Sequence, residues 1–297
     1  MEKVTKIILC LLYMTMIASC QKIAIEDIAD GDGNKNEKST ITFKISKIEQ
    51  VSFSSNENTS RATDITQLCS HIYFAVYKTD GERLIYDSQN SSDKDFGEIS
   101  VKLDKGSYRI VILAYNSKDN PTATNPEKIT FGNNGKMTDT FLWSDEISVE
   151  NNLEKEINMR RVVAMFRLIT TDKIPKNVAK IKFHYTGGSS TINAITGTGN
   201  ANSKQDETFT ISETGETGKF EVYTFPKDDE NLLKIEITAL DASNNTILSR
   251  TFEDVPISRN KITQYKGEFF TGENTESNTL SFKLTTNEEW SVIDKTY

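Results

Sequence analysis

Apolar and polar residues alternate with period two along most of the chain from residue 40 onward. Ile41, Phe43 and Ile45 alternate with polar residues, and Ile72, Phe74 and Val76 follow at the same spacing before the Asp80-Gly81 turn signal. Strict alternation over short runs is typical of β-strands with one buried face. The aspartate–glycine pair favours a tight hairpin, so we expect local antiparallel pairing in this region.

The alternation continues to the end of the chain without a sustained helical period. Residues 108–114 are almost continuously apolar, as in a central strand covered on both faces. The pattern restarts after the Asn151-Asn152 pair, which favours two domains over one large barrel. We therefore predict an all-β protein with two β-sandwich domains in tandem, at residues 39–157 and 158–297.

The first twenty residues have the pattern of an export signal. Lys3 and Lys6 precede an apolar stretch at residues 7–18, which is shorter than the roughly 20 residues of a membrane-spanning helix. The Ile-Ala-Ser-Cys sequence ending at Cys20 resembles the bacterial lipobox, so residues 1–19 are expected to be a lipoprotein signal peptide. Cys20 would then be the lipidated N-terminus, followed by a polar tether over residues 20–38. Ordinary cleavage near a chance cysteine is the alternative.

Composition excludes several other classes of protein. The hydrophobic fraction of 36% is large enough for packed cores, and the net charge of -8 makes a nucleic-acid partner improbable. Three cysteines, Cys10, Cys20 and Cys69, and two histidines, His71 and His184, are too few for a zinc cluster or a disulfide framework. We expect no metal, no cofactor and no nucleic acid.

Candidate chemistry is sparse. Cys69 and His71 are two residues apart and could form a nucleophile pair, but a cysteine beside a strand is more often a small core residue. Trp143 and Trp290 could stack on sugars or fill a core. The Gly-, Ser- and Thr-rich stretch at residues 187–217 lacks the lysine and the helix of a phosphate loop, so we expect long exposed loops there. We predict no catalytic residue and no enzyme activity.

Seven short stretches, each weak alone, occur in a consistent order along the chain. They are Cys20, Ser60–Ala62, Leu68–Tyr77 with Asp80-Gly81, Gly106–Val111, Thr138–Phe141, Arg160–Ala164, and Ser258–Thr263 with Gly267. Together they resemble the lipoprotein members of the fimbrillin superfamily, the FimB-type fimbrial anchor subunits of Bacteroides-like bacteria.

This resemblance implies two transthyretin-like sandwiches, export to the outer membrane as a lipoprotein, and other fimbrial subunits as partners. In that family, stalk subunits lose their first strand to an Arg- or Lys-specific protease, and a neighbour's strand fills the groove. Anchor subunits stay attached at the filament base through their lipid.

Arg61 follows the strand that carries Ile41, Phe43 and Ile45, which is the candidate groove-filling strand. Cleavage at Arg61 would release that strand, but it would also separate Cys20 from the rest of the chain. Arg61 is therefore either a processing site or an ordinary exposed arginine, and the sequence leaves both alternatives open.

Two functions compete at this point. The first is a structural subunit of a cell-surface fimbria, anchored by lipid at the outer membrane and joined to its neighbours by strand complementation at the filament base. The second is a surface glycan-binding lipoprotein or adhesin that binds a host or bacterial ligand through Trp143 or residues 187–217.

Overall fold

The computed structural model describes residues 38–48, 65–117, 119–132, 137–228, 231–271 and 283–284. In these ranges the chain forms strands and one 3-10 helix, Ile65–Gln67. The strands are β1 (Ser39–Ile48), β2 (His71–Lys78), β3 (Arg83–Asn90), β4 (Glu98–Leu103), β5 (Gly106–Tyr115), β6 (Thr122–Asn125), β7 (Lys128–Thr130), β8 (Thr140–Val149), β9 (Leu153–Arg161), β10 (Ala164–Thr170), β11 (Lys180–Thr186), β12 (Thr191–Asn193), β13 (Thr198–Gly199), β14 (Gln205–Thr210), β15 (Lys219–Thr224), β16 (Asn231–Leu240), β17 (Thr246–Ile257), β18 (Ile262–Gly267) and β19 (Lys283–Leu284). Among the described residues, no helix has the length and hydropathy needed to cross a bilayer.

The first sandwich contains seven strands in the order β3-β2-β5-β8-β9-β1-β4. β8 and β9 pair at only two positions, Phe141 with Arg161 and Leu142 with Arg160. The sheet folds back on itself at this short pairing. As a result β4, β1 and β9 face the other four strands across one hydrophobic core, which includes Phe43 and Phe74. Alternate side chains of each strand enter this core, as the sequence pattern predicts.

The second sandwich has two four-stranded layers, β15-β10-β18-β19 and β14-β11-β16-β17. Phenylalanines from both layers fill its core. The ring centroids of Phe166 and Phe183 are 6.4 Å apart, and those of Phe183 and Phe220 are 6.1 Å apart. Tilted and edge-on aromatic pairs at these distances add to the stabilisation from burial.

The two sandwiches have the same topology. In each one the first strand lies between the fourth and the seventh: β1 between β4 and β9, and β10 between β15 and β18. Both first strands are parallel to the seventh strand and antiparallel to the fourth. The facing layers, β3-β2-β5-β8 and β14-β11-β16-β17, also correspond strand for strand. The predicted all-β fold with two sandwiches is thus confirmed.

A third sheet joins the two halves of the chain. Its order is β13-β12-β7-β6, so β7 from the first half pairs with β12 from the second. Beneath it lies a mixed core to which the first half contributes Tyr77 and Tyr115 and the second half contributes Val163, Ile192 and Phe225, all fully buried. We call this cluster the junction core. It binds the two sandwiches through ordinary hydrophobic burial.

A buried ion pair reinforces the junction. The guanidinium of Arg161, at the end of β9, donates to both carboxylate oxygens of Asp139 at 2.6 and 2.8 Å and to Asn260 Oδ1 at 3.0 Å. Arg161 is 3% exposed and its guanidinium lies 4.9 Å from the centroid of the Phe141 ring. A bidentate arginine–carboxylate pair fixes orientation as well as charge. It ties the end of the first sandwich to the turn before β18.

The chain passes between the sandwiches later than the sequence suggests. The predicted division after residue 157 falls inside β9, and β10 starts at Ala164. The Asn151-Asn152 pair forms the turn between β8 and β9 and does not begin a new domain. The true link, Val162-Val163, is completely buried and contains no glycine or proline, so the apolar pattern runs through it unbroken.

The prediction of long exposed loops over residues 187–217 is wrong for residues 187–210, whereas residues 211–217 lie outside strands and are mostly exposed. Residues 187–210 contain β12, β13 and β14, and Thr191 and Ile192 are buried. Gly187 permits close packing: it has a φ of +97°, and a Cβ there would lie 2.3 Å from the carbonyl oxygen of Leu232. Small residues thus mark tight backbone contacts here.

Replacing Phe225 by alanine should destabilise the protein by about 3–5 kcal/mol, because it leaves a cavity in the junction core. The check is urea unfolding followed by circular dichroism. Leu232→Ala is the control, since Leu232 is 48% exposed and its truncation should change stability by about 0.5 kcal/mol or less. Equal losses for the two variants would show that the junction core does not hold the halves together.

Candidate functional site

β1 is held along both edges. It runs antiparallel to β4, from the Ser39–Leu103 pair to the Lys44–Glu98 pair, and parallel to β9 from Ile41 onward. The strand forms because its period-two pattern lets backbone groups pair on both sides while one face enters the core. We call the space between β4 and β9 that β1 occupies the β1 slot.

The inner face of β1 carries the residues expected to fill a groove. Ile41 and Phe43 are fully buried, and Ile45 is partly buried against the same core. The Phe43 ring lies 6.0 Å from Phe74 and 5.6 Å from Trp143, measured between centroids. Phe43 is therefore the main apolar anchor of β1.

A bulge marks the end of regular pairing. The register with β9 shifts between Ile45 and Lys47, and the Ser46 hydroxyl lies 3.3 Å from the carbonyl oxygen of Ile157 and from Asn158 Oδ1. Ile48 turns back into the core beyond the bulge. Because a bulge fixes register, the slot accepts β1 in one alignment.

Polar contacts close the outer face of β1. The Thr40 amide donates to Asn152 Oδ1 at 2.8 Å, and the hydroxyls of Thr42 and Ser100 are 2.9 Å apart. Sequence reasoning missed Asn152 as part of this site, because its contact to β1 spans 112 residues. In the sequence, Asn152 is recognisable only as an asparagine in a turn.

Two predicted site residues fall outside the described part of the chain. Cys20, the expected lipidation site, and Arg61, the possible processing site, are both in this group. Residues 49–64, which connect β1 to the 3-10 helix, lie outside it as well. Lipidation and processing therefore stay predictions.

Cys69 and His71 do not form a nucleophile pair in the structure. The buried Cys69 thiol faces the carbonyl oxygen of Ile65 at 3.5 Å, and the His71 ring bonds Ser70 Oγ at 2.8 Å and stacks on Tyr115. Burial, with a smaller effect of the Asp139 charge, raises the pKa of Cys69 to about 12. A thiol this hard to ionise is a poor nucleophile.

The other candidates have structural surroundings. Trp143 packs its ring against Phe43, with Lys155 Nζ 5.2 Å from its centroid, so this ring is not a free sugar platform. His184 is a surface residue whose Nδ1 lies 3.1 Å from Asp206 Oδ1. Trp290 lies beyond the described residues. No group of three or more metal-ligating side chains occurs in the part of the chain that the structure describes.

Comparison with known proteins gives one family. Residues 32–294 match a family of unknown function, DUF6562. A comparison with curated proteins finds no match.

Several solved structures are similar at low sequence identity. One is a candidate adhesin from Bacteroides ovatus ATCC 8483, with 15% identity, a TM-score of 0.49, and coverage of 76% of this chain and 88% of that one. Another is the fimbrial anchor protein Mfa2 from Porphyromonas gingivalis, with 10% identity, a TM-score of 0.42, and coverage of 82% and 94%. A third is the tip fimbrial protein Mfa3 from the same organism, with 11% identity, a TM-score of 0.38, and coverage of 77% and 94%.

In the folded protein, Cys69 should resist alkylation by iodoacetamide at about pH 8, because its raised pKa leaves almost no thiolate. In guanidinium chloride it should react fully. Mass spectrometry of the peptide that contains Cys69 measures the extent of alkylation in both states. A Ser148→Cys variant, which places a thiol on an exposed strand position, is the control and should react in the folded state. Rapid labelling of folded Cys69 would reopen the nucleophile hypothesis.

Proposed function

This chain belongs to DUF6562, a family of unknown function, and we propose that it is a structural subunit of a cell-surface fimbria. The subunit is anchored by lipid at the outer membrane, exposed at the cell surface, and joined to neighbouring fimbrial subunits by β-strand complementation. Its place is the filament base. We base the proposal on the sequence pattern and on β1, and not on the solved structures, whose TM-scores are below 0.5.

The placement of β1 is the observation that carries the proposal. β1 is flanked by β4 and β9, and its inner face fills a cleft in the hydrophobic core of the first sandwich. An empty slot would expose two strand edges and the core residues beneath Phe43. A neighbour's strand could satisfy both the backbone ladders and the apolar cleft, which is the mode of β-strand addition.

The membrane attachment comes from the N-terminal sequence. Cys20 stands at the end of a lipobox-like signal, and residues 21–38 supply a polar tether before β1. If Arg61 stays uncut, residues 49–64 keep β1 and the lipid covalently linked to both sandwiches. A neighbour's strand can then displace β1 without releasing the subunit. This is why we assign the chain to the filament base and not to the stalk.

Exchange of β1 can be tested with the full mature chain in detergent, after a protease recognition sequence is inserted behind Arg61 and cut. A fluorescent peptide with the sequence of residues 38–48 should be captured by the cut chain, which fluorescence polarisation detects. A peptide carrying Phe43→Asp should not be captured, because it would bury an unpaired charge.

A disulfide lock provides the matched control. Thr42→Cys with Ser100→Cys joins opposite positions whose hydroxyls are 2.9 Å apart, a spacing compatible with a disulfide. The locked chain should not capture the peptide, and reduction should restore capture. Equal capture by locked and reduced chains would refute exchange at the β1 slot.

Location and anchoring need a separate measurement. We expect gold-labelled antibody against residues 158–297 to mark filament bases in electron micrographs of intact cells, and mass spectrometry to find a lipidated Cys20 at the mature N-terminus. Label along filaments with Ala62 as the N-terminus would instead identify a processed stalk subunit. Label on bare surface would favour the glycan-binding alternative.

A further inference from the structure

The outer face of the β1 slot carries a cluster of negative charge around one lysine. Lys44 lies on the solvent side of β1, directly opposite Glu98 on β4 and Glu156 on β9. Its Nζ is 3.8 Å from Glu98 Oε2 and forms a closer ion pair with Glu154. The pKa of Lys44 is raised, chiefly by the hydrogen bond to Glu154 and then by the charges of Glu154 and Glu98.

These carboxylates belong to the walls of the slot and not to its occupant. Glu98 is on β4, and Glu154 and Glu156 are on β9, so all three remain when β1 leaves. A strand that enters the slot must place some residue between them. A positive residue relieves their mutual repulsion, and a negative one adds to it, because like charges on adjacent strands destabilise a sheet.

Most of the affinity of the slot for a strand comes from contacts other than these charges. Backbone ladders and the apolar anchors Ile41 and Phe43 are the same for many alternating strands, so they discriminate poorly between occupants. The lysine and its partners are all more than 40% exposed, and exposed ion pairs add little affinity. Their effect is to exclude wrong strands, since repulsion is an effective source of specificity.

We propose that the three carboxylates beside Lys44 select the strand that occupies the β1 slot, accepting one with a basic residue at this position. The fitting strand has the pattern apolar-x-apolar-basic, as in Ile41, Thr42, Phe43 and Lys44, aligned by the bulge at Ser46. This inference rests on the proposed function, because it describes the partner strand of the same slot.

The test uses the cut full-length chain and fluorescent peptides of residues 38–48. A Lys44→Glu peptide should bind about tenfold or more weakly than the unchanged peptide, because it faces three carboxylates. A Lys47→Glu peptide is the matched control: it has the same net charge, but its residue pairs with the neutral Asn158 beyond the bulge. It should bind within about twofold of the unchanged peptide.

The reciprocal change gives a second readout. A chain with Glu98→Lys and Glu154→Lys should prefer the Lys44→Glu peptide over the unchanged one. Raising the salt concentration should shrink both preferences, since these groups are exposed to solvent.

The outcomes separate the two claims. Equal weakening by Lys44→Glu and Lys47→Glu, or no reversal in the charge-swapped chain, would overturn selection by the carboxylates while leaving strand exchange intact. Failure of every peptide, including the unchanged one, would overturn strand exchange at the slot and the selection with it.

Discussion

Each sandwich is closed by the parallel pairing of its first strand with its seventh. β1 pairs with β9 and β10 pairs with β18, and each first strand also pairs with the fourth strand of its own sandwich. The two equivalent strands differ in how the chain reaches them. β10 follows β9 after the buried Val162-Val163 link, whereas β1 joins the remaining strands only through residues 49–64. Of the two, β1 is the strand whose departure leaves the other described strands in one continuous chain.

The strands that form the walls of the β1 slot are also held in place by contacts that do not involve β1. β9 is anchored at its far end by the ion pair between Arg161 and Asp139, and the next residues enter the junction core. β4 begins behind the turn at Gly97, whose φ is +95° and whose carbonyl oxygen accepts from the Ile45 amide. A slot with fixed walls loses little conformational freedom when a strand binds, which favours tight complementation. The buried ion pair thus acts on the slot through the position of β9.

The sequence predicts the local elements well and the long-range pairing poorly. Alternation identified the inner face of β1, because one buried face produces a period of two wherever the strand lies. It could not show that β1 neighbours β9, since pairing over more than 100 residues leaves no local trace. The Asn151-Asn152 pair suggests a domain start although it forms a hairpin turn, because hairpin turns and linkers use the same residues. In residues 187–217, small polar residues indicated loops, although close backbone packing requires the same small side chains.

The central claim is that another subunit's strand occupies the β1 slot in the assembled filament. The most direct measurement places a photoreactive amino acid at Ser100, opposite Thr42 on β4, in cells that assemble filaments. After irradiation, mass spectrometry should find crosslinks from position 100 to an alternating apolar segment of a neighbouring subunit. Crosslinks confined to β1 of the same chain, in filaments as well as in free protein, would contradict the account.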